Sequence, residues 1–357
     1  MRKIGIGMIG LGGAGGWGHY PGYLEIPEEA KIVALCDNVP ARIEAKSRQT
    51  GAKTYTEYEK LLADPDVEAV DITLPHYLHA KVALAAIEAG KHVIVEKPFT
   101  ITVEEADAVI SAAKRKGVKL MVAENTRFVE AYEVARKMLD QDLIGRICYA
   151  EAYIGGNEVP RLRDPSGWNG KASLAGGGVV MDSAVHSFYL LRWMVGKMKT
   201  VSAFTTKFMD DLPIDTETNA VAIFKFENGA LGHVANTETT EHPWTEQLQL
   251  IGVNGSLVID MLAERPLQLY STKRRSGNQT MGWTPYGSGS WEEPFIYHSA
   301  LEWKTKSMRR EVQHFVRCIA QDTQPWVTGE DGREDVRVAV KCYESANTGR
   351  PVEIGAL

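Results

Sequence analysis

Lys3-Ile4-Gly5-Ile6-Gly7-Met8-Ile9, followed by Gly10-Leu11-Gly12-Gly13-Ala14-Gly15, is the stretch that decides the fold. The first part is a short apolar run, which predicts a buried parallel strand. The second fits G-x-G-x-x-G. Its first glycine allows a tight turn, its second lets the backbone approach a pyrophosphate, and its third lets helix and strand pack closely. The helix that follows would turn its positive end toward the phosphates. Glycine-rich turns are common, so the motif takes its weight from standing directly after a strand. Gly10, Gly12, Gly13, Ala14 and Gly15 are thus candidates for dinucleotide binding.

A second apolar run, residues 31–36, ends at Asp37. Asp37 lies 27 positions after Gly10, and the glycine-rich insert at residues 16–22 accounts for the excess over the usual spacing of about 20. An acid here accepts hydrogen bonds from adenosine ribose hydroxyls and repels a 2′-phosphate. It favours NAD over NADP, although nearby Arg42 is of the type that receives such a phosphate. The plain alternative for Asp37 is a turn residue ahead of Asn38 and Pro40.

The alternation continues. Thr56 and Glu59 suggest a capping box. A strand over residues 67–74 closes at Thr73-Leu74-Pro75-His76, and a helix over 78–89 precedes Gly90. The apolar run His92-Val93-Ile94-Val95 stops at Glu96-Lys97-Pro98. Thr102 and Glu105 suggest a second capping box, for a helix ending near Gly117. A last strand, residues 118–123, leads to Glu124-Asn125. Alternating strands and helices predict a parallel, doubly wound sheet. Ligands gather at the carboxyl ends of such strands, and that edge collects Gly10, Asp37, Thr73, Pro75, His76, Glu96, Lys97 and Asn125. Lys97 would stand there as a cation and donor, and Pro98 would turn the chain away, with a cis bond open to it. The plain alternative is a Glu96–Lys97 ion pair before a loop.

After a helical segment at residues 129–139 the pattern changes to strands, over residues 146–153, 200–208, 220–226, 230–237, 246–251 and 256–259. Asn228-Gly229 is a hairpin signal and residues 252–255 suggest another turn. Consecutive hairpins predict a largely antiparallel sheet. The reading is an α/β Rossmann domain over residues 1–125 and an α+β domain with a large, mostly antiparallel open sheet over residues 126–357. An alternative has the last helix packing back on the first domain. Two helices are predicted near the end, over residues 301–320 and from Gly329 to about residue 347.

Gly176-Gly177-Gly178-Val179-Val180-Met181-Asp182-Ser183-Ala184-Val185-His186 starts a helix running to Val195. Asp182 and His186 are four apart, which would place them on one face, and the glycines allow close approach of backbone to a ligand. The plain reading is a helix cap and a half-buried histidine. Arg161, Arg163, Asp164, Trp168 and Asn169 precede the glycines, and Arg163 is the candidate among them for contacting substrate.

The run LPHYLHAKVALAAIEAGKHVIVEKP and the motif GGGVVMDSAVH resemble the Gfo/Idh/MocA family (glucose–fructose oxidoreductase, inositol dehydrogenase and rhizopine-catabolism proteins), and the resemblance covers essentially the whole chain. It implies a first domain binding a nicotinamide dinucleotide. It implies that Lys97 contacts substrate and nicotinamide, that His79 lies beside the cofactor, and that Asp182 and His186 meet the lysine across a cleft. Trp168 resembles a tryptophan near the nicotinamide in several relatives, with a core tryptophan as the alternative. Many members carry an acid three residues after the histidine; here that residue is Tyr189, which gives no support to an added metal or acidic role. The resemblance also implies a homo-oligomer, a dimer or a tetramer.

Composition excludes other classes. A formal net charge of −6, with only Lys114-Arg115-Lys116 and Lys273-Arg274-Arg275 as basic runs, argues against a nucleic-acid partner. Cys36, Cys148, Cys318 and Cys342 are widely spaced, which suggests reduced thiols in a cytoplasmic protein and no zinc site. The chain enters a strand at once and holds no run long enough to span a bilayer, so neither a signal peptide nor a membrane partner is expected.

The expected activity is NAD-dependent oxidation or reduction at a secondary alcohol or ketone of a sugar, glycoside or cyclitol. Lys97, Asp182 and His186 would carry it, in a cleft between the domains. His186 is the expected general base, Asp182 its orienting partner, and Lys97 the donor to the reacting oxygen. The narrower expectation is oxidation of a glucoside to a 3-oxo-glycoside, drawn from the aromatic stretch at residues 276–299 with Trp283, Tyr286, Trp291, Phe295 and Tyr297. A subunit contact or an ordered surface loop is the plain reading of that stretch. Two other classes stay open: an NAD-dependent glycosidase with transient redox, and a non-catalytic dinucleotide-sensing regulator.

Overall fold

The structure is a computed structural model that describes residues 2–273, 284–285 and 300–355. The aromatic stretch therefore lies outside the described residues, apart from Thr284–Pro285. The chain divides into two compact units, one of Met1–Phe128 with Lys304–Val336, the other of Val129–Trp303 with Arg337–Leu357.

The first unit is built on six parallel strands: β1 (Ile4–Ile9), β2 (Ala30–Cys36), β3 (Lys53–Tyr55), β4 (Ala69–Ile72), β5 (His92–Glu96) and β6 (Leu120–Ala123). Their order is β3-β2-β1-β4-β5-β6. The chain works outward from β1 in one direction, then returns to start β4 on its other side. That reversal opens a crevice at the carboxyl ends of β1 and β4, where Gly10 and Thr73 sit. Every residue of β1 and β4 is buried, as expected of strands covered on both faces.

Helices α1 (Tyr20–Leu24), α2 (Pro40–Thr50), α3 (Tyr58–Leu62), α4 (His76–Glu88) and α5 (Val103–Lys116) alternate with the strands. The box at the start of α5 forms in both directions: Glu105 N–H donates to Thr102 Oγ1 at 3.1 Å, and Thr102 N–H to Glu105 Oε2 at 3.3 Å. Gly117 ends that helix in the left-handed region at φ 67°. The Thr56–Glu59 box does not form. The edge strand β3 runs to Tyr55, so Thr56 is spent leaving it, and Glu57 takes the cap position of α3. Strand β3 itself carries no sequence signal, being three residues long. Helix α4 starts at His76, two residues earlier than its spacing predicts, because Pro75 takes the cap position. The later segment completes this unit: Val122 N–H donates to Val327 O at 3.2 Å, which covers the β6 edge, and Arg317 and Gln313 grip Glu29.

The second unit is a sheet of nine strands among the described residues, in the order β14-β13-β12-β11-β7-β10-β9-β8-β15. The strands are β7 (Ile147–Gly155), β8 (Met198–Thr206), β9 (Asn219–Phe226), β10 (Leu231–Thr237), β11 (Thr245–Gly252), β12 (Gly255–Asp260), β13 (Leu267–Ser271), β14 (Thr284–Pro285) and β15 (Val352–Glu353). Among the described residues only β7 and β10 pair in parallel, so the sheet is mostly antiparallel. The Asn228-Gly229 turn joins β9 to β10, with Gly229 at φ 88°. Strand β9 alternates, placing Ala220, Ala222, Phe224 and Phe226 inward and Val221, Ile223 and Lys225 outward. The inner face packs on α6 (Glu130–Asp140) and α10 (Ala184–Met194), with Tyr132, Phe188, Leu191 and Phe224 in one core. Shorter helices α7 (Val159–Leu162), α8 (Ala172–Ala175) and α9 (Val179–Asp182) lie between β7 and α10 in the chain; α11 (Ala300–Gln321) and α12 (Gly329–Thr348) come between β14 and β15. Strands β13 and β15 fall outside the strands that the sequence predicts; β15 is two residues whose identity comes only from its partner, Val201.

Candidate functional site

The glycine loop is shaped by its contact with the end of β4. Gly10 has φ 92°, and a Cβ there would lie 2.3 Å from Thr73 O. A Cβ on Gly15 would lie 2.1 Å from Thr73 Oγ1. Both must be glycine for β1 and β4 to close on one another. Thr73 Oγ1 donates to Gly10 O at 2.6 Å and so braces the loop. Gly13, at φ 35°, faces open space: a Cβ there would meet no atom within 4 Å. After Gly15 the chain takes a short π-helical turn, Gly15–His19, before α1.

Asp37 follows β2 and is buried. Its carboxylate accepts from Leu11 N–H at 2.8 Å and from Val39 N–H at 2.8 Å, and the half-exposed Arg42 reaches it at 3.4 Å. It is thus both a turn residue and the anchor of the glycine loop. The Arg42 guanidinium also lies against Gly12, 3.3 Å from where a Cβ would be. An open glycine crest beside a buried carboxylate suits the phosphates and ribose of a dinucleotide, and these residues fit NAD.

Lys97 is half-buried at the end of β5, its own N–H donates to Glu96 Oε2 at 3.0 Å, and the Lys97–Pro98 bond is cis. His79 is fully buried, with Nδ1 2.8 Å from Pro98 O and Nε2 2.7 Å from Leu74 O. Both ring nitrogens therefore face backbone carbonyls. His79 thus braces the loop after β5 against the loop after β4. His76 is buried beside it, rings 5.6 Å apart. Asn125 is buried and donates to Ser307 Oγ at 3.0 Å.

A group that the motifs do not point to lies behind Glu96. His19 is fully buried, with Nδ1 2.9 Å from Asp71 Oδ2, and Nε2 3.3 Å from Glu96 Oε1 and 3.4 Å from Glu311 Oε2. Burial opposes charge on this imidazole, but Asp71, Glu311 and Glu96 together raise its pKa well above the ordinary value. Burial pushes Glu311 up to about 8, against the pull of His19. The cluster joins the turn after the glycine loop to the residue before Lys97. Sequence reading misses it because its members come from four separate elements.

In the second unit the helix expected to run unbroken is interrupted. Helix α9 stops at Asp182, Ser183 has φ −104°, and α10 begins at Ala184. Asp182 therefore closes one helix, and His186 lies buried in the first turn of the next. Glu217 supplies the cap that three glycines make room for. Its carboxylate accepts from Gly178 N–H and Val180 N–H, each at 3.0 Å, and from Tyr343 Oη–H at 2.8 Å. A Cβ on Gly178 would lie 1.9 Å from Glu217 O, so no other residue fits there.

The Asp182 carboxylate accepts from Arg161 Nη2 at 2.8 Å. The same guanidinium reaches Glu158 at 2.8 Å and Glu238 at 3.6 Å, and Ser183 Oγ–H donates to Glu238 at 3.2 Å. Three carboxylates thus surround this guanidinium. Burial, reinforced by the Asp182 charge, pushes Glu238 up to about 8. Arg161 stays charged: burial opposes it, but Asp182, Glu238 and Glu158 outweigh that. Arg163, the expected substrate contact, does not join this group. It is exposed and pairs with exposed Asp211 at 2.9 Å, while its neighbour Arg161 faces Asp182. Trp168 is half-buried, and Tyr189 is buried with its ring 6.2 Å from that of Trp193. No cluster of metal-ligating side chains occurs among the described residues, and no helix there is long and apolar enough to cross a membrane.

A parallel sheet with its glycine loop at the switch point, followed by an open antiparallel sheet, defines a two-part, NAD-dependent oxidoreductase. Residues 4–124 match the oxidoreductase family with an NAD-binding Rossmann fold, and residues 132–258 match the GFO/IDH/MocA C-terminal domain. The chain belongs to the Gfo/Idh/MocA family. It is 29% identical to levoglucosan dehydrogenase of Pseudarthrobacter phenanthrenivorans over 97% of each chain. It is 26% identical to scyllo-inositol 2-dehydrogenase (NAD(+)) of Bacillus subtilis, over 99% of this chain and 97% of that one. Among solved structures, levoglucosan dehydrogenase in complex with NADH and levoglucosan superposes with a TM-score of 0.88 at 27% identity, over 100% of both chains.

Proposed function

We propose that this protein oxidises a secondary alcohol of an uncharged sugar, glycoside or cyclitol. The observation that carries this reading is the crowding of carboxylates around Asp182. Arg161, a cation that faces it, is shared with Glu158 and Glu238, so a phosphate or carboxylate on the substrate would be repelled, whereas hydroxyls find acceptors. The relatives named for levoglucosan and scyllo-inositol agree in substrate type.

Bound NAD supplies the hydride acceptor. The chain supplies the rest. Gly10, Gly12, Gly13, Ala14 and Gly15 cradle the dinucleotide, Asp37 meets its ribose, and Thr73, Pro75, His76, Glu96 and Asn125 shape the wall. Lys97 donates to the reacting oxygen and favours the developing alkoxide by its charge. His186 takes the hydroxyl proton as general base. Asp182 orients that imidazole or holds a neighbouring hydroxyl.

The narrower reading is oxidation of a glucoside to a 3-oxo-glycoside, supported by the aromatic run at residues 276–299. Incubating purified protein with glucosides, levoglucosan and inositols, following NADH absorbance and identifying ketones by mass and NMR, tests both levels. NADH with a 3-oxo product supports both. Cleaved glycoside without net NADH points to a glycosidase, and dinucleotide binding without conversion of any polyol points to a sensor.

Two further proposals follow from surfaces and composition. Exposed Phe204, Val221, Ile223 and Leu231 share the outer face of the open sheet, Phe204 directly opposite Val221. An apolar face of this kind suits a homo-oligomer, which light scattering checks. Widely spaced thiols suit the cytoplasm.

A further inference from the structure

Asp182 belongs to the motif GGGVVMDSAVH, and its carboxylate meets Arg161. Arg161 comes from the single turn of α7, and its guanidinium spans Glu158 on its own turn, Asp182 at the end of α9 and Glu238 just after β10. Ser183, the residue that breaks the helix, donates to the same Glu238. Asp182 is the last residue of α9, and α10 begins two residues later at Ala184. Its carboxylate accepts from the guanidinium at 2.8 Å.

We propose that Arg161 is the positioning residue for Asp182, and that Glu238, on the same guanidinium, competes for it whenever it carries charge. The proposal rests on Asp182 and His186 acting in catalysis as read above. With Glu238 protonated, Arg161 serves Glu158 and Asp182. When Glu238 ionises, a third full negative charge enters a buried group around this guanidinium, and Arg161 is drawn from Asp182 toward Glu238. The groups facing Glu238 are Asp182, Arg161, Glu158 and Ser183, and burial together with Asp182 holds its proton on to about pH 8. The site therefore loses its aligned acid on the alkaline side through a residue that does not touch the substrate.

Steady-state kinetics of the whole enzyme with a polyol substrate, from pH 6.5 to 9.5, test this with Glu238→Gln and Arg161→Lys. The glutamine keeps size and hydrogen bonding but cannot ionise. Its kcat relative to the unmodified enzyme should rise at least about threefold between pH 7 and pH 9, as the competitor is removed. Arg161→Lys keeps the charge and loses the fork; its kcat should fall roughly tenfold with KM for NAD within about twofold. A Glu238→Gln ratio that is flat across this range overturns the proposal, as does an Arg161→Lys enzyme with unchanged kcat. If Arg161→Lys does not fold, the pH ratio of Glu238→Gln decides alone. Absence of turnover by the unmodified enzyme on every polyol tried overturns the functional reading and this proposal together; turnover with a flat ratio overturns this proposal only.

Discussion

The Asp37 carboxylate accepts a hydrogen bond from the Leu11 amide at 2.8 Å. A residue that the motif spacing assigns to ribose recognition is thereby also the pin of the glycine loop. Asp37→Ala would leave the Leu11 and Val39 amides without their acceptor, at a cost of about 1–3 kcal/mol of stability. The loop would also lose its fixed shape, and KM for NAD should rise by about tenfold or more. Arg42, freed from its ion pair beside Gly12, should then improve the relative use of NADP. Kinetics with both dinucleotides, with thermal unfolding alongside, check the two effects separately.

Lys97→Ala should lower kcat by roughly 10²-fold, the usual loss on removing a donor to a developing oxyanion. Dinucleotide affinity, read by NADH fluorescence, should change far less. An unchanged rate would remove Lys97 from the mechanism.

The His19 cluster should make stability depend on pH. Burial holds the Glu311 proton up to about 8 in the folded chain, against 4.5 when free. The folded state thus keeps a proton that the unfolded chain gives up, and this contribution is full below 4.5 and lost as pH climbs through about 8. His19 is also raised when folded, so its contribution has the same sign and fades at higher pH, past its ordinary value of 6.5. The melting temperature should fall as pH rises from about 5 to about 8. In Glu311→Gln the early part of that fall should vanish while the later part, from His19, persists. Calorimetry across pH reads both.

Gly178→Ala places a Cβ 1.9 Å from Glu217 O. The start of α9 would have to shift, and the Glu217 contacts to Gly178, Val180 and Tyr343 with it. A loss of roughly 2–4 kcal/mol is expected, typical of a clash combined with a broken buried network. Glu217→Gln, which keeps the shape but weakens the charged cap, should cost about 1 kcal/mol. Denaturant unfolding ranks the two.

Both sheets are legible where the chain repeats a physical pattern. Short apolar runs alternating with amphipathic helices mark β1, β2, β4, β5 and β6. The Thr102–Glu105 box and the Asn228-Gly229 turn are read from side chains that act on their own backbone within a few residues. Strands of two or three residues, β3 and β15, carry no periodicity; each exists because a neighbour, β2 or β8, offers an edge. The break at Ser183 is hidden because its surroundings favour a helix on spacing alone.

The sequence by itself determined the chemistry available: a glycine loop, an acid after the second strand, a lysine before a proline, and an acid and a histidine after three glycines. These are local signals, fixed by what a turn or a strand end permits. Only the tertiary structure decided which charges meet. It set Arg161 rather than Arg163 against Asp182, turned His79 inward between two carbonyls, and gathered His19, Asp71, Glu96 and Glu311 around one imidazole. Electrostatic partners are chosen by distance through space, and residues on separate strands and helices acquire that distance only when the layers pack.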